Sequence, residues 1–465
     1  MVSGSQTMSE NTIKADHLCV LVHGLWGNPS HLDYVASALR ERHGEDRIHI
    51  LCAKGNSGNF TYDGIELGGE RLAHEIEETL DALATKNHKI SKLSLVGYSL
   101  GGLVARYAIG LLHARGWLDK LEPVNFTTFA SPHVGVRTPL KGLRDHIWNV
   151  LGARTVSTSG RQLFMIDSFR DTGRPLLSVL ADPQSIFIQG LAKFQHRCVY
   201  ANIVNDRSTV FYTTALSKVD PFRDLEEVNI NYVKGYDRVI IDPDQYALPP
   251  ATRQPETASS RAWKQFQALL FWVPLWILII LFVPLAATLF LLNAAVQTCR
   301  SRKRIRLHEE GKNGMLFGRY RVPLLVEDVR HAVEEVFENV NSRQEPAYLS
   351  STEAESSDLT TEKATALGIS EQIQLDERQT DTSLKTSDTL AGLEDSQHQL
   401  APKLALNPAQ FAIIDSLNSV GFRKYPVHIH KHRHSHAAII VRMPKQGFGE
   451  GKIVMKHWLD KEFVV

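Results

Sequence analysis

The sequence is short of cysteine and of any excess charge. Its four cysteines, Cys19, Cys52, Cys198 and Cys299, are scattered over 465 residues without paired or metal-ligand spacing. That pattern excludes a disulfide framework and a cysteine-ligated metal centre, and it fits a reduced, cytosol-facing protein. Lys and Arg number 52 against 51 Asp and Glu, a net charge of +1, so no nucleic-acid partner is expected. The first fifteen residues are polar and lack an apolar h-region, so no secretory signal is expected. Glycine stands at position 4 rather than 2, which rules out myristoylation of this start. The sharpest absence is local: from Gln265 to Cys299 there is neither a charged residue nor a histidine.

Within that stretch Ala268 to Leu292 is almost wholly apolar, long enough to rise about 37 Å as a single helix. Trp263, Trp272 and Trp276 crowd its first half as interface anchors, and Arg300, Arg302, Lys303, Arg304 and Arg306 follow it. A membrane-inserting segment over 265–299 is expected. The rest of the chain has a different character, and its 43% hydrophobic content suffices for a real core.

That core is organised around Lys92 to Gly102. Its first residues form a β-branched, apolar strand, and Leu103, Val104, Tyr107 and Leu111 then recur at helical spacing. Strand therefore passes into helix through Gly97-Tyr98-Ser99-Leu100-Gly101, a G-x-S-x-G elbow in the setting it requires. A serine at so sharp a turn needs neighbours without side chains, and Gly97 and Gly101 are those neighbours. Ser99 is thereby offered as a nucleophile, and the N–H of Leu100 is aimed at an oxyanion formed beside it. Upstream, the strand Leu18 to Val22 ends in His23-Gly24-Leu25-Trp26-Gly27, where the second oxyanion donor is normally built; Leu25 N–H is the candidate.

Around these motifs strand and helix alternate. A helix over about 31–42, a strand at 48–52, a turn-rich loop at 53–64 and a helix through Leu72, Ile76, Leu80 and Leu83 lead into the elbow. Phe126 to Phe129 forms the next strand and delivers Ala130 to Gly135, whereas about 136–196 lacks regular alternation and reads as a cap. This is an α/β class: a mostly parallel sheet with helices on both faces. The strand Val199 to Val204 ends in Asn205-Asp206-Arg207, and an acid just past a late strand can orient a catalytic imidazole. Asp206 is the candidate, ahead of Asp167, Asp220 and Asp237. After a Ser/Thr/Glu-rich stretch at about 342–404 that cannot bury enough apolar surface to fold, order resumes at Asn407-Pro408. A strand around 422–429 precedes histidines at 428, 430, 432, 434 and 436. These could share a strand face and bind metal, but Lys431 and Arg433 would repel a cation, so no metal is assigned. The alternative makes His436, the last of them, the general base for Ser99.

Ser99, Asp206 and His436 stand in the chain order of an α/β-hydrolase. More closely, the chain resembles fungal members of a serine esterase family that includes lipid-droplet phospholipases and monoacylglycerol lipases. The matching pieces are HGLWGNPSH (23–31), VGYSLGGLVARY (96–107), ASPHVGV (130–136), NDR (205–207) and SHAAIIVR (435–442). One departure stands out: such hydrolases usually follow the acid with Val-Pro, where this chain has Arg207-Ser208. The resemblance implies Ser99 as nucleophile, Asp206 as acid, His436 as base and Leu25 with Leu100 as oxyanion donors. It implies a lipase or phospholipase acting on acyl esters of glycerolipids, with no cofactor and no protein partner deducible.

The expected organisation is then a disordered 1–15, a hydrolase core over 16–250, a membrane hairpin over 265–299, a basic and helical segment over 300–341, a disordered linker over 342–404, and a returning 405–465 that carries the base. Nucleophile and base lie on opposite sides of the apolar run, so an intact triad forbids a single crossing of a bilayer. A hairpin entering from one side satisfies the triad, Pro274 and Pro284 breaking the helical ladder. A lid packed over the site is its rival. Such a hairpin suits the cytosolic face of the endoplasmic reticulum and the monolayer of a lipid droplet. Two other functions stay open: acyl transfer from the same acyl-enzyme, and a non-catalytic membrane scaffold on a hydrolase fold.

Overall fold

The computed structural model describes residues 15–136, 157–248 apart from 207, 224, 226 and 227, then 288, 292–312, 404 and 406–465. Most of the expected hairpin and the whole stretch 342–403 lie outside the described residues.

Six strands form one continuous sheet. β1 (His17–Val22), β2 (Ile48–Cys52), β3 (Lys92–Tyr98), β4 (Glu122–Phe129) and β5 (His196–Asn202) are joined through crossovers, and after a two-stranded ribbon of β6 (Asn229–Ile230) and β7 (Ala247–Leu248) the chain returns as β8 (Arg423–Val427). The sheet order is β2-β1-β3-β4-β5-β8 and every neighbouring pair is parallel. This is the α/β-hydrolase arrangement. Parallel pairing leaves both faces needing cover, which is why β1 reads His-Leu-Cys-Val-Leu-Val and is buried along its whole length.

The two faces are covered by different helices. α2 (Ile65–Thr85) and α3 (Leu100–Ala114) pack Leu72, Ile76, Leu103 and Tyr107 on one side; α1 (Asp33–His43) and the closing helix Gly449–Lys461 pack Val35, Leu39, Val454 and Trp458 on the other. Of the cap expected over about 136–196, residues 157–196 are described, and they lie in the β4-to-β5 crossover. Its helix Ile186–Ala192 lies against α3, with Phe187 close enough to Gly110 that a Cβ there would sit 2.3 Å from the ring. A parallel connection needs such a crossover, and its apolar residues are spent on the sheet face. β8 also arrives on a pinned element. The helix Pro408–Ser419 opens with a capping box between Asn407 and Gln410 and with proline in its first turn.

All parallel strands end at one edge of the sheet, so the loops after β1, β2, β3, β4, β5 and β8 meet there. The opposite edge is held by buried polar pins. His17 Nε2 and Ser94 Oγ are 2.7 Å apart, and Asn125 Nδ2 donates to Ser94 Oγ and to the carbonyl of Val464, tying the end of the chain under the sheet. Tyr200 OH and His457 Nδ1 lie 2.8 Å apart in a buried hydrogen bond.

Both histidines are buried neutral. Burial first, with Lys92 for His17 and with Lys461 and Arg423 for His457, lowers each to about 4. Unfolding returns them to the ordinary range near 6.5, so between about 6.5 and 4 the unfolded chain binds more protons than the folded one and stability rises with pH. The urea midpoint is therefore expected to fall as pH drops through that window, each histidine accounting for on the order of 3 kcal/mol. Replacing His17 or His457 by Asn should flatten the slope; a slope unchanged in both variants would refute this account.

Candidate active site

β3 ends where its last pair with β1, Gly97 beside Val22, leaves the chain no room. A Cβ on Gly97 would lie 2.4 Å from Gly102 Cα, and one on Gly101 would lie 2.2 Å from the carbonyl oxygen of Val22. The backbone of Ser99 between them is left-handed at φ 54° and ψ −128°, a conformation costly for serine and tolerated because the neighbours over-determine it. Its N–H donates to the Phe129 carbonyl and its own carbonyl accepts from Gly102 N–H. The side chain thus stands half-exposed at the sheet edge, at the start of a fifteen-residue helix whose first N–H groups have no acceptor within the helix.

Three chain segments converge on it. His436 Nε2 lies 3.0 Å from Ser99 Oγ, and His436 Nδ1 donates to Asp206 Oδ2 at 2.9 Å. This leaves Nε2 as the free acceptor for the serine hydroxyl. Burial would raise the Asp206 carboxyl, but the neighbouring His436, the hydrogen bond from it, and those from Thr209 N–H and Asn202 outweigh burial and hold it below the usual range. Asp206 is therefore an anion at neutral pH, fit to orient an imidazole and to stabilise its protonated form. Gly24, after β1, comes so close that a Cβ would sit 3.2 Å from Ser99 Oγ, which brings the half-buried Leu25 to the same side. Next to it His23, its Nδ1–H donating to the Gly24 carbonyl at 3.1 Å, is kept neutral by burial.

Of the weighed aspartates, it is Asp206 that meets His436. Asp167 instead accepts the Leu176 N–H, its carboxyl raised to about 6 by burial, and Asp220 accepts the Phe222 N–H. The substitution of Arg207-Ser208 for Val-Pro has a structural use: the Ser208 and Thr209 N–H groups both donate to Asp206 Oδ1, at 2.9 and 2.8 Å, and a proline at 208 would have no such N–H. The histidine run is not a strand face. β8 ends at Val427, and beyond it His428 bonds Tyr232 OH, His430 pairs with Glu450 and His432 packs on Phe448.

Three supporting residues went unrecognised in the sequence. Thr209 Oγ1 donates to Asp206 Oδ2 and lies 3.3 Å from His436 Nδ1; Ser435 Oγ donates to the Val204 carbonyl, tying the His436 turn to the segment that leads to Asp206. Tyr98, the residue just before Ser99, donates its OH to the His436 carbonyl at 2.9 Å while its ring centroid lies 5.1 Å from the imidazole. Burial pushes its phenol far above the ordinary value, so it is a neutral donor at working pH. Tyr98→Phe keeps the ring and loses one hydrogen bond, so kcat should fall about fivefold with KM nearly unchanged and stability lowered by only about 1 kcal/mol. A rise in KM at constant kcat would show that Tyr98 serves substrate binding instead.

Residues 12–219 match the family described as Putative serine esterase (DUF676), a stretch that holds Ser99 and Asp206 and ends before His436. Two fungal relatives are similar: Putative lipase ROG1 of Saccharomyces cerevisiae, 34% identical over 44% of this chain and 29% of that protein, and Putative lipase C4A8.10 of Schizosaccharomyces pombe, 28% identical over 52% and 31%. The chain thus spans less than a third of the length of either relative. Among solved structures, phospholipase PlaB from Legionella pneumophila is 15% identical, covering 46% of this chain and 43% of its own, at a TM-score of 0.26.

Proposed function

We propose, from a chain whose residues 12–219 match the serine esterase family and which is distantly homologous to fungal lipases, that this protein hydrolyses acyl esters of glycerolipids through an acyl-enzyme on Ser99. The observation that carries the reading is the unbroken hydrogen-bonded run Asp206, His436, Ser99. Ser99 Oγ attacks the ester carbonyl carbon as His436 Nε2 takes its proton, and the Leu25 and Leu100 N–H groups stabilise the oxyanion. Collapse expels the alcohol, which receives that proton from His436. Water then repeats the sequence and releases the fatty acid.

The partner in this reading is a membrane or droplet monolayer, on the cytosolic face of the endoplasmic reticulum and on lipid droplets, reached by a hairpin over 265–299. The 3.0 Å contact between side chains that flank the apolar run in sequence supports a reading with both flanks on one side of a bilayer.

Ser99→Ala should abolish ester hydrolysis and fluorophosphonate labelling, a fall on the order of a million-fold in the affected step. His436→Ala should match it, while alanine at His430, His432 or His434 should cost little. Residual turnover of a tenth in Ser99→Ala, or equal losses across the histidines, would defeat the mechanism. For topology, tags at both ends of the active protein should be equally open to protease on intact microsomes; one protected end would defeat the hairpin.

A further inference from the structure

We propose that the outer face of the helix over 292–309, together with Trp26 and Phe60, is a docking surface for a lipid layer bearing anionic headgroups. The purpose of such a surface rests on the lipid-ester reading above; its existence does not.

From Leu292, at the end of the apolar run, the described helix continues through the expected boundary at 299/300 without a break. Ala294, Gln297 and Ser301 are buried, and Arg304 and His308 continue the same three- and four-residue spacing, so one stripe faces the hydrolase core. The attachment is polar and specific. Ser301 Oγ donates to the Tyr62 carbonyl at 3.2 Å, and Arg304 forks onto Asp63, Nε to Oδ2 at 2.9 Å and Nη2 to Oδ1 at 2.6 Å. Arg71 of α2 takes the same carboxylate at 2.8 Å, and His308 Nε2 meets Glu70 at 2.7 Å. The Asp63 side chain is fully buried, so this double-arginine clasp is part of the packing rather than a loose surface pair.

The element so clasped also holds the candidate oxyanion loop. Thr61 Oγ1 accepts the Trp26 N–H at 3.1 Å, Tyr62 OH accepts from Trp26 Nε1 at 2.8 Å, and Gly58 N–H donates to the Gly27 carbonyl at 2.7 Å. Helix, 3-10 turn Gly58–Tyr62 and loop His23 to Gly27 are therefore one mechanical unit at the mouth of the site.

Its outer side is apolar. Among the described residues six large hydrophobics are well exposed, and four of them belong to this unit: Trp26 at 50%, Phe60 at 46%, Leu292 at 60% and Val296 at 49%. Val296 lies five residues, about 7.5 Å along the axis, before the serine bonded to Tyr62. The next turn exposes Arg300, Arg302 and Lys303, and no acidic residue occurs from Leu292 to His308. Exposed aliphatic and tryptophan side chains beside cations that make no ion pair among the described residues suit an interface of acyl chains and anionic headgroups. A lipid occupant also follows from what precedes the helix, since the chain enters it directly from the apolar run.

Native Cys299 is exposed on this helix, whereas Cys19 and Cys198 are buried, so it can carry an environment-sensitive fluorophore once Cys52 is replaced by Ser. In the full chain bearing Ser99→Ala, vesicles of phosphatidylcholine with about 30% phosphatidylserine should blue-shift and brighten the probe more than phosphatidylcholine alone. Arg300→Gln with Lys303→Gln should reduce that preference at least about tenfold. Protein that floats with vesicles while its probe stays water-like would overturn the proposal. So would a probe response that follows protein concentration without lipid, which would mean a second copy on this face. Because the reporter protein lacks the nucleophile, failure here leaves the esterase reading intact, and failure of that reading leaves this result standing.

Discussion

One contact, Ser99 Oγ to His436 Nε2 at 3.0 Å, joins positions 337 residues apart in sequence, and the architecture is the means of making it. A parallel sheet sends every strand's carboxyl end to one edge, so residues that follow β1, β3, β5 and β8 become neighbours whatever separates them in the chain. The strain at Ser99 is tolerable for the same reason. Val22 and Gly102 close in on the two elbow glycines because the strands beside them are already paired, and the close-packed sheet supplies the energy that holds a left-handed serine.

Around that contact, polar groups are arranged to remove freedom rather than to add strength. His436 is held through its ring by Asp206, through its carbonyl by Tyr98 and through its neighbour Ser435 by Val204. Each such bond is worth only about 1 kcal/mol to stability. Their joint effect is to leave the imidazole one orientation, with Nδ1 committed to a carboxylate and Nε2 turned to the serine. Asp206 is fixed in turn by the Ser208 and Thr209 N–H groups, which is how this chain does without the usual proline after its acid.

The Asp63 clasp extends the same economy to the chain after the apolar run. A loosely tethered helix would average over many positions; a buried carboxylate shared by Arg71 and Arg304 cannot. An uncompensated Asp63 would cost several kcal/mol, so the helix and the loop that carries Leu25 are coupled by electrostatics in a dry site.

Much of this was legible in the linear chain, because some constraints are local. The elbow announces itself: a glycine two residues either side of Ser99 is a steric requirement of one turn, and strand and helix periodicity flank it. The His-Gly loop and the alternation of strands and helices are likewise short-range patterns, and they were sufficient for the fold class and for Ser99. His436 could be named by chain order and resemblance, but nothing in the stretch 428–436 distinguishes it from the four other histidines there; that the strand stops at Val427 and the next turn bends over Ser99 is a matter of tertiary packing. Tyr98, Thr209 and Ser435 were invisible because a hydrogen bond between distant segments leaves no periodic trace in either. The stretch over about 136–196 shows the same limit, since apolar residues at irregular spacing look alike whether they roof a site or cover a sheet. The apolar run could be read from composition alone. Where the helix after it settles depended on one buried carboxylate, and only the folded chain brings Asp63 and Arg304 together.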